Sequence, residues 1–254
     1  LGDLRKLKNI KNELIKKKIS FFERSAFFKI LNYLKGKSFC IDGKSCSVLN
    51  ENLIKSKFYI KNRIDPIYDL KSIKNNIEIK NMVNAHIEDG VALTKFLYWI
   101  KNSNIKNLDE LKVEKKLENF RKKNKNFLYP SFSTIAGSGP NGAIIHYRSN
   151  KVSNRKLNKE HLLLVDSGGQ YKWGTTDVTR TISFNKPKQK IKEFYTRVLK
   201  GHIAVALAEI DKIKNGHNLD KLARRSLHSV NLDYRHGTGH GVGFFMNVHE
   251  GPQS

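Results

Sequence analysis

Cysteine is scarce: the 254 residues hold two, Cys40 and Cys46. Both sit in one short polar segment and can make at most a single local bridge, so a secreted disulfide scaffold is excluded and a reducing cytoplasm is the expected location. Long apolar runs are missing too. Stretches such as HLLLVD and AIIHY break off far short of the roughly 18 residues needed to cross a bilayer, which excludes a membrane span. The opening LGDLRKLKNIKNELIKKK has neither an apolar core of roughly 7 to 15 residues nor a small-residue cleavage site, so a signal peptide is not expected. Proline and glycine number only 5 and 17 while aromatics reach 10%, which argues against a disordered tail. A hydrophobic content of 39% suits one large domain, or one domain plus a smaller one, around a real core.

Acidic residues are the other deficit. Lys and Arg total 48 against 23 Asp and Glu, a formal charge of +25. Such an excess invites a polyanion partner, because clustered lysines release counterions from phosphate backbones. Here the lysines are spread along the whole chain among Asn and Ile. The expectation is a solvated basic surface with no dedicated nucleic-acid partner.

In residues 1–65 the spacing of Leu4, Leu7, Ile10 and Leu14 predicts a short helix. The apolar clusters FFKILNYL and KFYI, with Phe39 and Ile41 between the Gly36 and Gly43 turns, predict a small α/β unit. Pro66 disfavours helix at Asp65 and marks a boundary. From Ile73 to Ile100 the apolar residues recur at helical spacing with only Gly90 inside, which predicts one long amphipathic helix. A second is predicted from about Leu108 to Asn124, with Asp109 at its start and basic residues at its end, as the helix dipole prefers. The period then turns to that of strands at Phe132, Ile135, Ile144, Tyr147, Leu162, Leu164 and Asp166. Helices return over 187–211 and 219–230, before an end rich in Gly and His.

Three segments carry chemistry. In EHLLLVDSGGQYKWGTTDVTRTISF an apolar run leads into Asp166, and Asp177 opens an alternating strand. A turn centred on Lys172 and Trp173, with Gly174 supplying a permissive backbone, sets Asp166 opposite Thr179 and Asp177 opposite Gly168. The two carboxylates are then diagonal neighbours on one face, with backbones roughly 7 to 8 Å apart, close enough to share metal ions. A turn at Ser167 to Gly169 instead leaves them roughly 20 Å apart along the strand. Two readings stand for the pair: metal ligation, or Asp166 capping a turn while Asp177 pairs with Arg180.

RHGTGHGVGFFMNVHEGP crowds His236, His240 and His249 among glycines, which implies backbone packed tightly round a polar centre. The HxxxH spacing is not a zincin helix, since no Glu follows His236 and the glycines oppose a helix. STIAGSGPNGAIIHYRSN is a Gly/Pro/Asn loop leading to His146, which taken alone reads more readily as a hydrogen-bonded structural histidine than as a functional one. No nucleophile elbow is present, and neither cysteine lies near these segments. Carboxylates with imidazoles form the mixed donor set that suits Mn, Co, Zn or Fe and metal-assisted hydrolysis.

In this order the segments GSGPNGAIIHY, VDSGGQYKWGTTDVTRT and HGTGHGVGFFMNVHEGP resemble the pita-bread metallopeptidases, specifically their Xaa-Pro aminopeptidase (aminopeptidase P) branch, over about residues 66–254. The resemblance implies an α/β (α+β) pita-bread fold, a curved antiparallel sheet backed by helices, incomplete at the C-terminus. Residues 1–65 would be the remnant of a preceding, middle creatinase-type domain. It further implies two divalent metal ions, manganese with cobalt or zinc as alternatives, held in part by Asp166, Asp177 and His240. His146, His236 and His249 would position the scissile amide, a metal-bridging hydroxide would attack the carbonyl before proline, and the full-length protein would be a homodimer. The family's two Glu ligands belong to motifs after HEGP, and Glu250 sits in the wrong motif to replace either, so the chain as given is expected to be a fragment, inactive or nearly so. The competing expectation is a catalytically silent pita-bread module that uses its basic surface to bind nucleic acid or protein.

Overall fold

The computed structural model describes residues 4–7 and 9–251. Residues 1–3, 8 and 252–254, which the expected ranges include, lie outside the described residues. The chain divides into two compact units, Leu1–Pro66 and Ile67–Ser254.

In the first unit a 3-10 turn at Leu4–Leu7 and helix α1 (Lys11–Lys16) replace the single short helix expected there. Helix α2 (Phe27–Tyr33) precedes strand β1 (Ser38–Ile41), helix α3 (Val48–Lys55) and strand β2 (Tyr59–Asn62). The Ser47 hydroxyl accepts from Asn50 N at 3.3 Å and starts α3. β1 and β2 pair in parallel, as a β-α-β crossover requires, and Leu31, Ile41, Ile54 and Phe58 make the core beneath them. Cys40 and Cys46 are free thiols.

Helix α4 (Pro66–Ser72) starts on the last residue of the first unit, its proline at the helix start, and is followed by the long α5 (Asn76–Lys101) of the second. A capping box fixes the beginning of α5: Asn75 Oδ1 accepts from Ile77 N and Glu78 N, and the Glu78 carboxylate accepts from Asn75 N. Helix α6 (Glu110–Lys122) has Asp109 as its cap, accepting from Lys112 N at 2.9 Å. Strands β3 (Phe127–Pro130), β4 (Ile135–Ser138), β5 (Leu162–Ser167), β6 (Gly169–Tyr171), β7 (Gly174–Thr175) and β8 (Val178–Ser183) form two three-stranded antiparallel sheets, in the orders β3-β6-β7 and β4-β5-β8. Helices α7 (Gln189–Ala206) and α8 (Gly216–His228) follow, then a short ladder of β9 (Gly241–Val242) and β10 (His249–Glu250). Leu93, Phe96 and Ile100 of α5 meet Val113 and Leu117 of α6 and Leu163 and Val165 of β5 in the core. No helix of the described residues is long and apolar enough to cross a membrane.

Ile144 and Tyr147 are not in a strand. The chain makes a 3-10 turn over Gly139–Ala143, because Pro140 cannot donate to a ladder and the Asn141 carboxamide donates to buried Glu110 instead. Tyr147 joins the same network through its hydroxyl, 2.7 Å from Glu110 Oε2.

The hairpin that carries the two aspartates has the register expected of a turn at Lys172 and Trp173. Asp166 faces Thr179, Ser167 faces Val178, Gln170 faces Thr175 and Tyr171 faces Gly174. Gly174 serves a purpose other than the permissive backbone expected of it. Its φ is not in the left-handed region, and a Cβ there would sit 2.9 Å from Ala85 Cβ on α5, so glycine lets the hairpin tip lie against that helix. At Gly168, between the two sheets, a Cβ would run into the Thr176 carbonyl and the Ser131 hydroxyl. Gly168→Ala is expected to cost about 3 kcal/mol of stability, read as a lower urea midpoint with unchanged slope.

Candidate metal centre

Asp166 and Asp177 stand on one face of the hairpin and line a cleft of about 600 Å³. The same cleft is lined by His146, His236, His240 and His249, so the structure gathers all six residues picked out from the sequence. Each arrives by a separate route. Asp166 is the last residue but one of β5, and its Oδ1 accepts a 2.7 Å bond from the Thr179 hydroxyl directly across the ladder. Asp177 precedes β8 and its Oδ2 lies 3.4 Å from His240 Nε2. The alternative partner considered for it, Arg180, turns its guanidinium to the Thr179 carbonyl.

The β9-β10 ladder pairs His249 with Val242 and brings the His249 ring edge-on to His240, centroids 4.2 Å apart. His146 comes in from the 139–147 loop, 6.4 Å from His249. Its φ of 51° lies in the left-handed region, which a non-glycine residue adopts at a cost and which marks sites where backbone geometry serves function. His236 stacks on Tyr234 at 4.6 Å, and its Nδ1 faces the Gly237 carbonyl at 2.8 Å.

The electrostatics favour a positive charge in the cleft. Burial, then the charge of Asp166, pushes the Asp177 carboxyl above the ordinary carboxylate range, against the pull of His240, His249 and His86. His240 Nδ1 lies 2.9 Å from the Gly241 carbonyl, which can only accept, so that nitrogen carries the proton. In the neutral ring Nε2 then presents a lone pair to a carboxylate oxygen, and two facing acceptors are reconciled by a positive charge between them. Among the described residues, no group of three or more His, Cys, Asp or Glu already stands at the spacing of a metal shell. The donor chemistry of Asp166, Asp177 and His240 nevertheless fits divalent cations: oxygen and nitrogen donors, a half-buried carboxylate held above its ordinary range, and an imidazole whose Nε2 is free of a proton in the neutral ring.

Glu250, buried in β10, is occupied elsewhere. Lys71 and Lys74 lie 3.1 and 2.9 Å from its two oxygens. Burial pushes its carboxyl up, but the two lysines outweigh that and hold it below its ordinary range. Sequence reasoning passed over Thr179 as a support for Asp166, although the register had placed it opposite. It also passed over Asp220 and Arg224 on α8, whose spacing of four along one helix face was the available signal.

The model of metallopeptidase family M24 matches residues 80–254. Over 239 residues the chain is 44% identical to Xaa-Pro aminopeptidase 1 of Dictyostelium discoideum, a match covering 90% of this chain and 38% of that protein. Among solved structures, the X-prolyl aminopeptidase of Caenorhabditis elegans, a cytosolic enzyme with a di-nuclear active site, matches with a TM-score of 0.83 at 31% identity, over 96% of this chain and 41% of its own. The prolidase of Pyrococcus furiosus matches with a TM-score of 0.75 at 27% identity, over 95% of this chain and 70% of its own.

Proposed function

The chain belongs to metallopeptidase family M24 and has the family's pita-bread fold, and on that ground we propose that it is catalytic-domain sequence of an aminopeptidase that removes the N-terminal residue from peptides with proline in second place. The observation that carries the reading is the Asp177–His240 pair at 3.4 Å with Asp166 in the same cleft. Asp166, Asp177 and His240 are the residues that would hold the cations. Manganese is the first choice, with cobalt and zinc as alternatives, and two such ions when bound would supply an activated water and polarise the carbonyl before proline.

The chain's own side chains do the rest. The Thr179 hydroxyl orients the Asp166 carboxylate and the Gly241 carbonyl fixes the His240 ring. His146, His236 and His249 line the cleft where they can position the scissile amide and donate to oxygen as charge develops on it. A silent binding module has no chemical need for this gathering of carboxylates and imidazoles, and the scattered lysines give no built surface for nucleic acid.

The reading extends to the rest of the chain. Residues 1–65, with their parallel β-α-β core, are the end of a preceding creatinase-type domain, and residues 66–254 are part of the catalytic domain. The scarcity of cysteine supports a cytoplasmic location, and a homodimer is the expected assembly at full length. A polypeptide of these 254 residues alone, carrying three of the family's five metal ligands, is expected to turn over Xaa-Pro peptides feebly or not at all.

The experiment uses the full-length gene product. Exhaustive chelation is expected to abolish hydrolysis of an Xaa-Pro peptide and added manganese to restore it, with the matched Xaa-Ala peptide cleaved poorly throughout. Activity that survives chelation, or indifference to proline, would overturn the proposal.

A further inference from the structure

The loop that carries His236 and His240 has no regular secondary structure between α8 and β9, so something other than a ladder must hold it. One side chain on α8 does much of this. Arg224 Nε donates to Asp220 Oδ1 one helical turn earlier at 2.8 Å, and Nη1 to Asp233 Oδ1 at 2.7 Å. The other bonds go to backbone: Nη1 to the Tyr234 carbonyl at 2.6 Å and Nη2 to the His236 carbonyl at 2.7 Å. The guanidinium lies 3.9 Å from the centroid of the Tyr234 ring, the same ring on which the His236 imidazole stacks. The circle is completed by Thr238, whose hydroxyl donates to Asp220 Oδ1 and contacts the Tyr234 hydroxyl, each at 2.5 Å. Thr238 and Arg224 together hold the Asp220 carboxyl below its ordinary range, and Arg224 foremost brings Asp233 down to about 2.

We propose that Arg224 is a positioning residue for the site: from α8 it sets the place and ring orientation of His236. Only a planar fork can reach two carboxylates and two carbonyls while lying on an aromatic face, so lysine, with the same charge, cannot substitute. The inference rests on the reading of His236 as a group that meets the substrate. Arg224 does not line the cleft and touches no reacting atom.

The test uses the full-length gene product loaded with manganese. Arg224→Lys is expected to lower kcat by about 10- to 100-fold while the manganese dissociation constant, measured by titration calorimetry, stays within about threefold. In a His236→Ala background the same change is expected to cost no further activity, since both act through one ring. With 13C-labelled histidine, the His236 ring signal, assigned by its loss in His236→Ala, is expected to move in Arg224→Lys while that of His146 does not. Thr238→Val, which removes only the hydroxyl joining Asp220 to the loop, is a milder route to the same readouts.

An unchanged kcat, a loss that adds fully to that of His236→Ala, or a parallel fall in manganese affinity and melting temperature would overturn the assignment and leave Arg224 a structural residue. Failure of the wild type to hydrolyse Xaa-Pro peptides would instead sink the proposed function. The ring signal would then still decide whether Arg224 positions His236.

Discussion

Asp177→Ala in the full-length gene product is expected to lower kcat/KM for an Xaa-Pro peptide by at least about a thousandfold, or roughly 4 kcal/mol of transition-state stabilisation. The size follows from what Asp177 faces. Its carboxylate meets Nε2 of His240 at 3.4 Å and shares a cleft with Asp166. Burial and the Asp166 charge make its ionised form costly by itself, so a cation would gain by neutralising it, and removing the side chain removes both the proposed ligand and that incentive. Asp177→Asn separates the two contributions, because it keeps the shape and discards the charge. Both variants are expected to weaken manganese binding in calorimetry. Hydrolysis unchanged in Asp177→Ala would show that the metal assignment is wrong.

The second large effect lies away from the cleft. Asp89 on α5 and Arg121 on α6 form an ion pair in which both side chains are 1% exposed. The guanidinium donates through Nε at 2.6 Å and Nη2 at 3.0 Å, and the Tyr171 hydroxyl from the hairpin donates to the same carboxylate at 2.8 Å. Burial and the Asp89 charge push the Tyr171 phenol far up, so it stays a donor at every physiological pH. Asp89→Ala strands a buried guanidinium and is expected to cost about 3 to 5 kcal/mol in urea unfolding. Pairing Asp89→Leu with Arg121→Met is expected to recover most of that, because two apolar groups need no mutual compensation. A loss below about 1 kcal/mol in Asp89→Ala would mean that water reaches Arg121.

Local chemistry explains why so much was legible before any coordinates. The long α5 and the capped α6 declare themselves through period and cap. The hairpin declares itself because strict alternation on both sides of one aromatic-Gly turn admits a single register that keeps both carboxylates together. The reading failed where a residue's partners are remote in sequence. The strand expected around Ile144 and Tyr147 became a turn because Glu110, far earlier in the chain, draws Asn141 and Tyr147 to itself. Gly174 looked like a turn residue and proved to be a packing residue against Ala85. The spacing of four offered the Asp220–Arg224 pair, but nothing in a helix face announces which loop Arg224 will hold. The histidines were legible as a cluster, whereas the meeting of His240 with Asp177 was expected only through the family resemblance, since the strands of the β9-β10 ladder are too short to predict.

The hairpin register has a consequence for how this segment can change. Since successive residues of a strand point to opposite sides, the stretch between Asp166 and Asp177 is constrained in parity more than in composition. One residue inserted into either arm would swing one carboxylate to the far side of the ribbon. Two inserted symmetrically about Trp173 would lengthen the tip and leave both acids where they are.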